Sequence, residues 1–232
     1  MPEGNFFHYD QAAVDHLARK DKKLAAAMQA IGPGRREVMP DLFQALMHAI
    51  TGQQISMAAQ RTVWGRLCGL LGEVTPQALL AQPQTALQAL GLSARKVDYM
   101  RGIARQVVDG ELDLPGMAAL EDAEVCRRLA ALRGIGVWTA EMLLLFSLQR
   151  SDILSYDDLA IRRGLRMLYR HKEMPRERFE RYRRRFSPYG SLASLYLWAI
   201  AGGALPELDD PAERKKGRSR PAASLKSTVT KD

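Results

Sequence analysis

The sequence predicts an all-α protein of about ten helices joined by short connections. Three observations predict this class. Apolar residues recur at helical spacing along nearly the whole chain, capping residues and glycines separate the periodic segments, and alternating β-branched segments with hairpin turns are absent. The chain has 232 residues, of which 47% are hydrophobic, so it is long enough to bury a large core as one domain or as two small lobes.

Each predicted helix has a recognisable start or stop. Pro33 and Gly34 end the N-terminal helical segment, Ser56 and Ser93 are N-caps of two longer helices, and Thr75 is a cap followed by a proline at the first helical position. The predicted helices cover residues 10–31 (one or two helices), 41–54, 57–72, 77–82, 83–91, 94–110, 120–132, 137–148, 159–171, 176–186 and 190–203.

A Gly-x-Gly turn opens the apolar helix that begins near Val137. Gly134 and Gly136 free the backbone for positive φ or for close approach of another group. The first N–H groups of the helix lack intrahelical partners and carry the positive end of its dipole. These features fit a seat for a phosphate group, and they also fit an ordinary tight turn between two helices.

A pair of aspartates, Asp157 and Asp158, precedes the next helix. The plain structural interpretation is that one of them caps the helix. A carboxylate one helix and one loop away from a phosphate seat is also placed to stabilise a sugar cation.

The chain is basic, with a net charge of +8 and a pI of about 9.7, which favours a polyanionic partner. Much of the charge lies in two neighbouring segments. Their arginines also fit a solvated helix face, because three glutamates neutralise part of the charge. The arginines are Arg162, Arg163, Arg166, Arg170, Arg176, Arg178, Arg181, Arg183, Arg184 and Arg185, and the glutamates are Glu173, Glu177 and Glu180.

Several classes of protein are disfavoured. Two cysteines are too few for a disulfide framework or a four-cysteine cluster, and the four histidines show no metal-ligand spacing, so we expect no metal and no cofactor. No apolar run approaches the roughly 20 residues that cross a bilayer. The first residues lack the pattern of a signal peptide, and we expect a cytoplasmic protein without a membrane partner.

Five segments together resemble the helix-hairpin-helix/Gly-Pro-Asp DNA glycosylases, and within that superfamily the branch of 3-methyladenine DNA glycosylase II. The hairpin, loop and catalytic aspartate of the family are similar to LRGIGVWTAEMLLLF and DILSYDDLAIRRG. Its DNA-inserting loop is similar to HAITGQQISMAAQRT, its next helical element to GLSARKVDYMRGIA, and its C-terminal helix to FSPYGSLASLYLWAIAG. The resemblance covers approximately residues 38–202.

The resemblance implies a helix-hairpin-helix glycosylase fold, in which two helical lobes enclose a DNA-binding cleft. Residues 38–148 would form the central lobe with the inserting loop and the hairpin. Residues 149–207 would form the C-terminal helices with the catalytic aspartate, and residues 1–37 would join that second lobe. Residues 208–232 are rich in charge, proline and serine, and we expect them to form a disordered basic tail.

The resemblance also implies roles for individual residues. Asp158 matches the catalytic aspartate, and Trp138 and Trp198 match two tryptophans of the base pocket. Gln54 matches the residue that wedges into the DNA stack, with Ile55 adjacent, and which of the two inserts stays open because the family's wedge is apolar. The remaining expected substrate-binding residues are Met142, at the place of a pocket tyrosine, and Tyr156, and the remaining expected DNA-binding residues are Ser56, Gly134, Gly136 and Thr139.

The implied activity is monofunctional hydrolysis of the N-glycosidic bond of alkylated bases in double-stranded DNA, by a monomer associated with the nucleoid. Trp138 stands where bifunctional relatives carry a Schiff-base lysine, so no lyase step is expected. Three alternatives stay open: a hairpin protein that binds damaged or bent DNA without cutting it, a glycosylase for another lesion, and a helical interaction protein whose arginines are merely solvated.

Overall fold

The computed structural model describes residues 5–213, which form twelve α-helices, one 3₁₀ helix (Pro115–Ala119) and no β-structure beyond an isolated bridge between Phe6 and Glu37. The predicted all-α class is confirmed. Within this part of the chain, no helix has both the length and the apolar character needed to cross a membrane. The helices are α1 (Gln11–Lys20), α2 (Lys22–Ile31), α3 (Leu42–Gly52), α4 (Met57–Leu71), α5 (Pro76–Ala81), α6 (Gln84–Ala89), α7 (Ala94–Val108), α8 (Asp122–Ala130), α9 (Val137–Phe146), α10 (Leu159–Tyr169), α11 (Arg176–Phe186) and α12 (Gly190–Ala201).

The helix starts follow the capping signals in the sequence. The side chains of Ser56, Thr75 and Ser93 each accept the backbone N–H of the residue three positions later, which confirms them as N-caps of α4, α5 and α7. The N-terminal segment forms two helices because Asp21 ends α1 and caps α2 with its side chain.

The helices fall into two packing groups. In the first, α3 packs on α4, α7 and α9, the short helices α5 and α6 pack on α7, and α8 packs on α9. In the second, α12 packs against α1, α2, α10 and α11. The first group lies within residues 38–148, and the second joins the N-terminal helices to residues 149–207.

The loop between α9 and α10 is bound to the start of α12. The Asp152 carboxylate accepts the N–H of Gly190 at 3.0 Å and the hydroxyl of Ser187 at 2.6 Å. Ser191 accepts the N–H of Ile153 at 2.9 Å, and the Ser194 hydroxyl donates to the Ile153 carbonyl at 2.9 Å. This part of the loop is therefore fixed before the chain reaches α10.

The residues just after 207 differ from the expected disordered tail. Arg166 donates to both carboxylate oxygens of Asp210, at 3.0 and 2.5 Å, Asp210 is buried, and Arg170 pairs with Asp209. Residues 208–213 therefore lie against α10, because the charges that make this composition typical of disorder meet opposite charges on the helix. The rest of the predicted tail, 214–232, lies outside the described residues.

Candidate active site

The two glycines between α8 and α9 differ in backbone conformation and in the space around them. Gly134 has φ of +89°, and a Cβ atom there would lie 2.3 Å from Cδ2 of Tyr99, so this position of the turn requires glycine. Gly136 has φ of −92° and open space around the place of a Cβ. It is the N-cap of α9 and offers no side chain to the helix, so the end of the helix is left uncovered.

The N-terminus of α9 is open to an external acceptor. Within residues 5–213, the backbone N–H groups of Val137, Trp138 and Thr139 have no hydrogen-bond acceptor. Val137 is exposed, so these donors face a surface that solvent can reach. Unpaired N–H groups at the positive end of a helix dipole attract an anion, and the absence of a side chain at Gly136 lets the anion approach.

Asp158 lies beside this helix end, with a side chain that is only 6% exposed. One carboxylate oxygen, Oδ1, accepts the N–H of Ile161 at 2.8 Å and caps α10. The other, Oδ2, accepts the indole N–H of Trp138 at 3.0 Å. Helix capping explains only the contact of Oδ1. The contact of Oδ2 ties the carboxylate to α9, the helix whose N-terminus is open. The neighbouring Asp157 is exposed.

A cavity of about 1120 Å³ lies between the hairpin, α3 and α7. Six of the residues expected in the site line it: Gln54, Gly134, Gly136, Trp138, Thr139 and Met142. Trp138 is 46% exposed and joins the cavity to Asp158, because its ring lines the cavity and its N–H binds the carboxylate. Met39 and Phe146, which the sequence did not identify, add apolar surface to the wall.

Trp198 is placed behind the cavity wall. Its ring stacks on Phe146 with 5.4 Å between the ring centroids, and Phe146 faces the cavity. Trp198 itself borders a second cavity of about 560 Å³, beside Arg35 and Arg36. The periodicity marks Phe146 as one more apolar residue of a core helix, so no local signal identifies its position in the cavity wall.

Tyr156 is not brought to the cavity. Its ring makes an edge contact with Phe179, at 5.2 Å between centroids, and the guanidinium carbons of Arg162 and Arg176 lie 4.9 and 5.1 Å from its centre. The ring therefore lies against α11, which carries Phe179 and Arg176, and against Arg162 of α10.

The loop between α3 and α4 is exposed at its tip. Gln54 has φ of +58°, an uncommon conformation for a residue other than glycine, and its side chain is exposed and borders the cavity. Ile55 is 40% exposed, and Ser56 caps α4. The side chain of Gln53, which the sequence did not identify, donates to the Gly134 carbonyl at 2.7 Å and joins this loop to the hairpin.

Two basic side chains that line the cavity have a lowered pKa. Burial lowers the pKa of His48, which favours its neutral form. Desolvation also lowers the pKa of Lys96, whose ammonium donates to the Thr51 carbonyl at 2.9 Å. The cavity lining combines aromatic and apolar residues with the basic side chains of Arg95 and Lys96.

Comparison with known proteins agrees with this geometry. Residues 47–188 match the model of the HhH-GPD superfamily of base excision DNA repair proteins. The chain is 30% identical over 209 residues to DNA-3-methyladenine glycosylase 1 of Schizosaccharomyces pombe, covering 87% of this chain and 91% of that protein. It is also 30% identical over 173 residues to DNA-3-methyladenine glycosylase 2 of Escherichia coli, covering 70% of this chain and 58% of that protein.

Solved structures show the same similarity. The crystal structure of DNA-3-methyladenine glycosidase from Bacillus halodurans superposes with a TM-score of 0.77 at 33% identity, covering 88% of this chain and 95% of that chain. The 3-methyladenine DNA glycosylase of Schizosaccharomyces pombe in complex with abasic DNA superposes with a TM-score of 0.72 at 29% identity, covering 82% and 96%.

Proposed function

Since the chain belongs to the HhH-GPD superfamily of base excision DNA repair proteins, we propose that it is a monofunctional DNA glycosylase that releases alkylated bases, such as 3-methyladenine and 7-methylguanine, from double-stranded DNA. One observation carries the proposal. The carboxylate of Asp158 is held by Trp138, at the edge of an aromatic cavity and beside the open N-terminus of α9. The names of the two curated relatives support the choice of alkylated bases.

A base inside duplex DNA must leave the stack before an enzyme can act on it. The cavity offers the ring of Trp138 and the apolar side chains of Met142 and Phe146 to an extruded base. Stacking of a base on an aromatic ring contributes about 1–3 kcal/mol, and a positively charged methylated base also gains from cation–π attraction. Gln54 or Ile55, exposed on the adjacent loop, would fill the gap in the stack.

The chemistry requires an anion next to the sugar. Methylation of a ring nitrogen makes the base cationic and a good leaving group, so positive charge develops on the sugar as the C1′–N bond breaks. The carboxylate of Asp158 stabilises that charge and accepts a proton from the water whose oxygen bonds to C1′. Donors from Ile161 and Trp138 hold its two oxygens in place before the substrate arrives.

A lyase step needs an amine that attacks C1′ of the sugar. Trp138 occupies the position of the Schiff-base lysine of bifunctional relatives. Lys96 lines the same cavity, but its ammonium donates to the Thr51 carbonyl. We therefore propose hydrolysis alone, by a monomer that works on DNA at the nucleoid in the cytoplasm.

The decisive experiment is chromatography of the bases released from DNA treated with a methylating agent. The wild-type protein should release free 3-methyladenine and 7-methylguanine and leave strands that break only after alkali treatment. Tight binding to methylated duplex without any release of base would favour the non-catalytic hairpin protein. If base is released only from DNA that carries another kind of lesion, the cavity is specific for that lesion instead of alkylated bases.

A further inference from the structure

Glu141 is a partly buried carboxylate on α9 that the proposed mechanism does not use. It accepts a hydrogen bond from the hydroxyl of Ser155, a fully buried residue three positions before Asp158. Burial raises the pKa of the Glu141 carboxyl, and the Ser155 hydrogen bond acts in the opposite direction. A carboxylate in such a place loses hydration, so a specific partner is needed to offset the loss.

Ser155 is the direct partner of Glu141. Arg176 and Arg183 on α11 favour the charged form of Glu141, whereas Asp157 opposes it. Within the described part of the chain, neither arginine comes within ion-pair distance of Glu141, and both lie closer to Glu180. The nearby charges therefore bias the ionisation of Glu141 without replacing its bond to the loop.

Two side-chain contacts join α9 to the loop that carries Asp158. Trp138 binds Asp158, and Glu141, three residues later on α9, binds Ser155, three residues earlier in the loop. The earlier part of the loop is held by α12 through residues 150–153. The final stretch of the loop, which presents the carboxylate, is therefore held against α9 by these two contacts.

We propose that Glu141 is a positioning residue that acts through Ser155 to hold Asp158 at a fixed distance from the N-terminus of α9. The inference rests on the proposed function. The phosphate seat belongs to α9 and the carboxylate belongs to the loop, whereas the distance between a phosphate and its sugar is set by the DNA. A displacement of the loop relative to α9 would misalign the carboxylate, and a shift of 1 Å can lower a rate by about 10²-fold.

The test compares three changes in this contact with a matched control. Glu141→Leu and Ser155→Ala remove the contact, whereas Glu141→Gln keeps an oxygen that can accept the Ser155 hydroxyl. The control is Ser194→Ala, which removes another buried hydroxyl bond to the same loop, at Ile153. Each variant is assayed for single-turnover release of 3-methyladenine, affinity for an abasic duplex and thermal melting.

We expect Glu141→Leu and Ser155→Ala to slow base release by about 10- to 100-fold, with abasic-duplex affinity nearly unchanged. Glu141→Gln should restore most of the rate, and Ser194→Ala should lower the melting temperature with little effect on the rate. The double variant Glu141→Leu/Ser155→Ala should be no slower than the slower single variant, because both changes remove the same contact.

The inference is overturned if Ser155→Ala and Glu141→Leu release base at the wild-type rate while Asp158→Asn does not, an outcome that leaves the proposed function intact. A loss of rate in Ser194→Ala equal to that in Ser155→Ala would also overturn it, because general loosening of the loop would then suffice. If Glu141→Leu does not fold, Ser155→Ala decides the outcome. A wild-type protein that releases no base removes both the proposed function and the inference.

Discussion

Asparagine at position 158 would separate the chemical role of the aspartate from its structural role. The carboxylate accepts one donor on each oxygen, Ile161 N–H at 2.8 Å and Trp138 Nε1–H at 3.0 Å. Asparagine has a single acceptor oxygen. Whichever donor keeps that oxygen, the amide nitrogen faces the other donor. Asp158→Asn therefore removes the charge and one of the two hydrogen bonds while the volume stays nearly the same.

The two losses have different magnitudes. A buried donor left without an acceptor costs about 1–3 kcal/mol of folding stability, and each 1 kcal/mol lowers the melting temperature of a protein of this size by about 2–4 °C. Loss of a preorganised charge interaction lowers a rate by about 10²–10³-fold, or about 2.7–4 kcal/mol. The Asp158→Asn protein should thus be folded and bind an abasic duplex, with base release strongly reduced.

Making Asp158→Asn in a Trp138→Phe background separates the stability cost of the lost hydrogen bond from the effect of the lost charge. Without the indole N–H, the amide at position 158 no longer faces a second donor, so the stability cost of Asp158→Asn should shrink. The loss of base release should remain, because the negative charge is still absent. The stability changes should therefore be non-additive, as contacting residues require.

The assay is single-turnover release of 3-methyladenine from methylated duplex DNA, together with thermal melting of each variant. Asp157→Asn is the matched control, because it makes the same chemical change at the exposed neighbouring residue, and it should have much less effect. Near-wild-type release by Asp158→Asn, or a larger loss in Asp157→Asn, would refute the catalytic assignment.

Three further results are expected. Gly136→Ala should fold normally, because its Cβ meets open space, yet it should bind an abasic duplex more weakly than wild type. Gly134→Ala should instead destabilise the fold, because its Cβ would clash with Tyr99. Equal duplex binding by Gly136→Ala and wild type would mean that the hairpin is only a turn. The affinity for DNA should fall with salt at a log–log slope of about −0.9 per neutralised phosphate, and an affinity independent of salt would contradict a phosphate-contacting surface. The pKa of Glu141 is raised, so the folded state holds this proton more tightly than the unfolded state. The wild-type protein should therefore lose stability relative to Glu141→Gln as pH rises above the unfolded pKa of 4.5. A difference in unfolding free energy between the two proteins that does not depend on pH would contradict this.

Features that depend on neighbours along the chain could be predicted from the sequence. A serine before an apolar segment predicts a cap, and Ser56 and Ser93 cap their helices because the bond closes within three residues. The hairpin glycines were identifiable for the same reason, since φ of +89° at Gly134 is a local property of the backbone.

Contacts between distant segments could not be predicted in this way. The direction of the Tyr156 ring depends on Phe179 of α11, and the position of Trp198 depends on Phe146 of α9. Helical periodicity tells that a residue is apolar and buried but not which wall it forms. The bond between Glu141 and Ser155 also has no sequence signal, because a carboxylate on a helix is usually solvated.

In the proposed mechanism Trp138 both lines the cavity that receives the base and binds the catalytic carboxylate, which limits how this protein can change its choice of base during evolution. Any substitution that reshapes the cavity at Trp138 also removes the indole N–H that donates to Asp158, so substrate preference and rate would change together. Met39 and Met142 line the cavity, and neither hydrogen-bonds the carboxylate. A lineage that acquires activity on a new lesion would therefore accumulate substitutions at the two methionines first and retain the tryptophan.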